Sequence, residues 1–81
     1  MYYVYILWST NLSKRYVGST SDVQKRLQEH NSGHNKFTKG GRPWELLHVE
    51  EYLIKKVALI RERFLKSGIG RAWLDKNINQ N

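Results

Sequence analysis

Residues 2–9, Tyr-Tyr-Val-Tyr-Ile-Leu-Trp-Ser, form a β-branched and aromatic run with almost no polar alternation. Such a run favours a strand, and a strand lacking a polar side has both faces covered. The rest of an 81-residue chain must therefore supply a layer for each face. A chain this short buries only about 60% of the surface that its unfolded form exposes, so one domain over residues 1–81 is expected and a second core is not.

The segment Thr10-Asn11-Leu12-Ser13-Lys14 is turn-like, and Arg15 to Thr20 reads as a second strand broken by Gly18. So short a connection implies an antiparallel hairpin. Ser21 offers an N-cap, and Gln24 completes a capping box three residues on. Val23 and Leu27 then share one helical face at i and i+4, with Arg26 and His30 at the same spacing beside them. Asn31-Ser32-Gly33 ends that helix. Residues 31–43 are polar and Gly-rich, a loop that either contacts phosphate or is a solvated connection.

Trp44 to Leu53 reads as a third strand, with Leu47 and Val49 on one side and Leu46 and Tyr52 on the other. Lys55 to Ser67 reads as a helix with apolar positions Val57, Ala58, Ile60, Phe64 and Leu65. Gly68 and Gly70 break it, and a last helix runs from about Arg71 to Asn77 with Trp73, Leu74 and Ile78 as its apolar contacts. The order is β-β-α-β-α-α, which predicts an α+β fold: a three-stranded antiparallel sheet flanked by helices.

Charge narrows the partners. Lys and Arg total 14 against 7 acids, a net charge of +7, and such a surplus attracts polyanions, nucleic acid above all. The absence of cysteine excludes a disulfide framework and a thiolate zinc site, and fits a reducing compartment. The opening apolar run lacks a basic n-region and a cleavage site, and is far shorter than the roughly 20 residues that span a bilayer. A cytoplasmic chain without a membrane segment is expected.

A site that cuts phosphodiesters needs a cation to offset charge at phosphorus, a hard oxygen ligand for a metal, and a base for water. Glu62 stands mid-helix with Ala58, Leu59 and Leu65 as its neighbours one turn away. A carboxylate beside an apolar stripe is costly unless paired or bound to a cation; the plain alternative is pairing with Arg61 or Arg63. Arg26 and His30, one turn apart, have the spacing to present a guanidinium and an imidazole to one phosphate, or are simply solvated. Tyr5 and Tyr16 lie on strands that pair, on one face of the sheet, or are ordinary core tyrosines.

Taken together these residues resemble a known family. Tyr3-Val4-Tyr5, followed after ten residues by Tyr16-Val17-Gly18, resembles the two short motifs that name the GIY-YIG nucleases. Arg26 follows eight residues after Gly18, His30 one turn later, and Ala58-Leu59-Ile60-Arg61-Glu62-Arg63-Phe64-Leu65-Lys66 resembles the family's metal-binding glutamate helix. The ending, Lys66 to Leu74, is similar to that of small bacterial members likened to the N-terminal nuclease domain of the excision-repair subunit UvrC. Tyr3 stands where the family name has Gly, and Asn77 and Asn79 are candidates for an asparagine that many members place after the glutamate helix.

The resemblance implies a metal-dependent endonuclease acting on nucleic acid, DNA first, with DNA repair, restriction and mobile-element roles all open to it. It implies Mg²⁺ or Mn²⁺ on Glu62, charge stabilisation by Arg26, and Tyr16 as general base, with Tyr5 or His30 sharing that role or orienting the water. Lys25, Lys36, Lys39, Arg42, Lys66 and Arg71 would grip backbone phosphates without reading sequence. Two other classes remain open: a basic nucleic-acid-binding module that kept the fold and lost turnover, and a protein-interaction module anchored by Trp8, Trp44 or Trp73.

Overall fold

In a computed structural model, which describes residues 1–78, the apolar run becomes the central strand of a three-stranded sheet. β1 (Tyr2–Ser9) lies between β2 (Lys14–Thr20) and β3 (Trp44–Tyr52), antiparallel to both. The helices are α1 (Val23–Ser32), α2 (Lys55–Lys66) and α3 (Gly68–Asn77), with a 3₁₀ turn at Lys39–Gly41. This is the expected α+β order, β-β-α-β-α-α.

Both faces of β1 are covered, as the lack of polar alternation requires. Val4 and Ile6 point to one side, where with Val17 they pack against Ala58 and Leu65 of α2 and Leu74 of α3. Tyr5 and Leu7 point to the other, packing on Trp44 with Tyr16, Val23, Leu27, Leu46 and Val49 around them. The central strand thus separates two apolar clusters, and every residue from Val4 to Leu7 is at most 1% exposed.

Three local details differ from the sequence reading. The N-cap of α1 is Asp22, whose side chain accepts from the Lys25 N–H; Ser21 is exposed, and Thr20 accepts from the Asp22 N–H instead. In β3 the sides are exchanged: Leu47 and Tyr52 join the α2/α3 cluster, while Leu46 and Val49 join the other. The cause is a register shift opposite Ile6 and Leu7, which pair with His48 and Leu46 and leave Leu47 as the extra residue. A one-residue bulge reverses the alternation, and no local propensity marks it. On α2, Val57 and Ile60 are 44% and 57% exposed, so the buried stripe is narrower than the apolar positions imply.

The break between α2 and α3 is confined to Ser67. It ends α2, and its hydroxyl accepts from the Gly70 N–H to cap α3. Gly68 and Gly70 lie inside α3 rather than ahead of it. Gly70 is buried against the end of α2, where a Cβ would run into the Phe64 carbonyl and the Leu65 backbone. Backbone cannot move aside as a side-chain tip can. Gly70→Ala is therefore expected to destabilise the fold by about 1–3 kcal/mol, read as a lowered urea midpoint, whereas Gly68→Ala, which meets nothing, leaves the midpoint unchanged.

Candidate active site

The β1–β2 register sets the site. Tyr5 pairs with Gly18 and Leu7 with Tyr16, which puts both tyrosines in the cluster beneath α1, ring centroids 6.3 Å apart. Gly18 is needed because the Tyr5 side chain lies across it: a Cβ there would overlap the phenol ring and hydroxyl. Drawn over β2, the Tyr5 hydroxyl meets α1, where it lies 3.0 Å from His30 Nε2. His30 Nδ1 lies 2.9 Å from Thr38 Oγ1. The Thr38 carbonyl accepts from the Trp44 indole N–H at 2.7 Å, and the Asn31 amide holds the Trp44 backbone on both sides, donating to its carbonyl and accepting from its N–H.

His30 is wholly buried with both nitrogens engaged. Burial, and then the nearby Arg26 charge, push its pKa below the ordinary value, with Glu29 opposing. The Tyr5 phenol is pushed up, first by burial and further by Tyr16 and the Glu62 charge, against the pull of Arg26. Both groups are thereby held neutral near pH 7, and a neutral imidazole between two hydroxyls donates from one nitrogen and accepts at the other. The Arg26 guanidinium lies beside the Tyr5 hydroxyl and pairs with Glu29 at 2.8 Å, keeping about a third of its side-chain surface exposed. Tyr16 is half-buried, with its ring 4.8 Å from His30 and edge-on to Trp44.

Glu62 comes from the opposite side of the sheet. Ser19, on β2, donates to Oε1, and Lys66 Nζ lies 2.7 Å from Oε2. Burial disfavours its ionised form, but Lys66 and Ser19 together outweigh burial and hold the carboxyl below the usual range. Its charge nevertheless acts weakly on the Tyr5 phenol. Among the described residues no three His, Cys, Asp or Glu gather into a cage for a metal. A single ionised, partly exposed carboxylate instead suits a hard, hydrated divalent cation, which takes few protein ligands. The ammonium of Lys66 shows that this oxygen already holds a positive charge.

Several expected placements change. His30 does not join Arg26 at the surface, since it points inward to Tyr5 and Thr38. The partner of Glu62 is Lys66, neither Arg61 nor Arg63, so Lys66 is ion-paired rather than free for phosphate. Arg61 grips Glu50 through two bonds of 2.9 and 3.1 Å, and Tyr52 and His48 close on the same carboxylate. Lys25, Lys36, Lys39, Arg42 and Arg71 are exposed as expected. Asn77 donates to the Trp73 carbonyl of its own helix, and Asn79 lies outside the described residues. Trp44 is buried and offers no anchor to a partner; Trp8 and Trp73 are half-buried.

Residues 31–43 are more than a connection, because Thr38 and Gly41 are buried in them. Thr38 is the site residue that sequence reading missed; its signal was a β-branched hydroxyl in a loop just ahead of a buried tryptophan. The Glu50 cluster was missed too, although His48, Glu50 and Tyr52 alternate on one strand face.

Comparison with known proteins agrees with this arrangement. The profile of the GIY-YIG catalytic domain matches residues 1–73. The chain is 42% identical over 67 residues to a UPF0213 protein of Haloquadratum walsbyi, covering 82% of this chain and 74% of that protein. It is also 42% identical over 81 residues to a UPF0213 protein of Syntrophus aciditrophicus, covering 98% and 91%. The solution NMR structure of a UPF0213 protein from Bacillus halodurans superposes with a TM-score of 0.59 at 30% identity, over 99% of this chain and 89% of that one.

The buried line from Tyr5 to Thr38 has a pH signature. Because folding lowers the His30 pKa from its ordinary 6.5, the unfolded chain binds the extra proton first. Stability is then full above about 6.5 and falls as pH drops through the folded value. The urea midpoint should fall between about pH 7.5 and 5.5, a range above that of the carboxylates, and His30→Gln should flatten the fall. Thr38→Val should cost about 1–3 kcal/mol by leaving Nδ1 without its partner. A midpoint independent of pH in the wild type would refute the assignment.

Proposed function

The chain belongs to the GIY-YIG family, and from that membership we propose that it is a metal-dependent endonuclease hydrolysing phosphodiester bonds of nucleic acid, DNA foremost. What supports this reading is that the carboxylate of Glu62, the partly exposed guanidinium of Arg26 and the half-buried phenol of Tyr16 all act on the Tyr5 hydroxyl. Residues 1–81 act as one domain on this view, in the cytoplasm.

Each residue has a separable part. Arg26 offsets the charge that grows on the phosphate oxygens in the transition state. Tyr16, the more accessible phenol, takes the proton of the attacking water as its phenolate, its own proton having first passed to solvent. Tyr5 and His30 are too enclosed to reach substrate, so they act as positioning residues, bracing Tyr16 and Arg26 from beneath. Glu62 would hold Mg²⁺ or Mn²⁺, and the metal would supply Lewis-acid stabilisation at the scissile phosphate. Lys66 must leave Glu62 for that to happen. Lys25, Lys36, Lys39, Arg42 and Arg71 hold backbone phosphates, and sequence preference is weak.

One observation favours a second reading, a nucleic-acid-binding module without turnover: Lys66 occupies the carboxylate that a metal needs. Nicking of supercoiled plasmid and of branched DNA with Mg²⁺ or Mn²⁺ separates the two. Glu62→Gln and Arg26→Ala should each slow wild-type nicking by about 100-fold or more. Equal nicking by all three proteins rejects the site. Salt-sensitive binding that survives Glu62→Gln, with no wild-type cleavage in either metal, establishes the binding module.

A further inference from the structure

β2 is an edge strand, and its free side opens on a cleft of about 690 Å³ between the strand and the α2–α3 corner. That is within the range of about 300–1,000 Å³ typical of small-ligand sites. Lys14, Arg15, Lys66 and Arg71 line it, together with the half-buried Trp8. Its one acid, Asp75, is already paired with Arg15 at 2.7 Å. Arg15 Nη1 is buried with no hydrogen-bond partner among the described residues. The cleft therefore combines a surplus of positive charge with an aromatic plate.

We propose that this cleft binds an unpaired nucleotide of the substrate strand, its base against Trp8 and its phosphates among Lys14, Lys66 and Arg71. Aromatic faces accept any base once it is unstacked, whereas a base inside a duplex has no free face to offer. Cations alone would suit an acidic peptide equally, but the indole beside them favours a base. The inference rests on the nuclease reading for its consequence, because the cleft is joined to the candidate site. Lys66 is the link, lining the cleft while holding Glu62. A phosphate in the cleft draws Lys66 away from Glu62 and uncovers the carboxylate. Substrates with a single-stranded segment beside the cut are then the preferred class.

Binding measured in EDTA keeps this test apart from hydrolysis. A fluorescein-labelled ten-nucleotide oligothymidylate is titrated with protein, with a blunt duplex and a polyglutamate peptide as competitors. The single strand should outcompete both by about tenfold, and it should quench tryptophan fluorescence. Trp8→Phe should abolish most of that quenching, and the Lys14→Ala/Arg71→Ala double variant should weaken binding about tenfold. Unfolding of Trp8→Ala would not matter, since Trp8→Phe and the lysine–arginine pair carry the measurement and circular dichroism verifies their fold. Unchanged quenching in Trp8→Phe, or equal competition by duplex or polyglutamate, overturns the proposal. DNA cleavage without any Trp8 dependence of binding defeats the cleft alone, whereas Trp8-dependent binding without cleavage defeats the nuclease reading alone.

Discussion

The bond between the Tyr5 hydroxyl and His30 Nε2 holds the site's architecture together. It joins the central strand to α1 through a fully buried pair, and Thr38 continues it into the 31–43 segment. Buried polar groups are costly unless every one of them is satisfied, and satisfied networks specify one arrangement. Three elements distant in sequence are thereby fixed to one another, and Arg26, one turn before His30, is fixed with them. The 31–43 segment, polar and Gly-rich, could not by composition hold its own shape. It is ordered because Thr38 serves His30 on one side and Trp44 on the other.

Two glutamates on the α2 side show how similar charges reach different fates. Glu50 and Glu62 both resist ionisation through burial, and in both the neighbouring donors prevail. Glu50 is closed: Arg61 grips both oxygens, with Tyr52 and His48 filling the remaining directions. A planar guanidinium bound at two points is a rigid partner, whereas a lysine on a flexible stem is a replaceable one. Among the described residues Glu62 has only a lysine and a hydroxyl. The carboxylate with the weaker hold is the one whose charge reaches Tyr5, and the tightly held one pins β3 to α2.

How much of this the sequence disclosed follows the range of the interactions. The two-sided burial of β1, the hairpin and the helix order are legible because they rest on local patterns of period 2 and 3.6. The placing of Tyr5 with Tyr16, and the singling out of Glu62, are also legible, the latter because a carboxylate beside an apolar stripe is conspicuous. The β3 bulge is not, since it is decided by pairing with β1. Nor is the inward turn of His30, because Arg26 and His30 look alike at i and i+4, and only the positions of Tyr5 and Thr38 separate them. The exchange of Ser21 for Asp22 as the cap depended on Thr20 claiming the Asp22 N–H.

Gly18 connects these levels. As a break in a strand pattern it reads as a weakness, since a strand glycine gives up packing and entropy. In the fold that loss lets the Tyr5 ring cross β2 to His30, which a methyl group would prevent. The charge of Glu62, from the α2 side, also acts weakly on that phenol. A sheet normally keeps its two faces electrically apart, with helices on each side forming separate clusters, as the two apolar clusters do here. One missing Cβ on an edge strand lets a side chain of the central strand reach the helix beyond it. The 81 residues thus bring charges from both faces of the sheet to bear on one phenol.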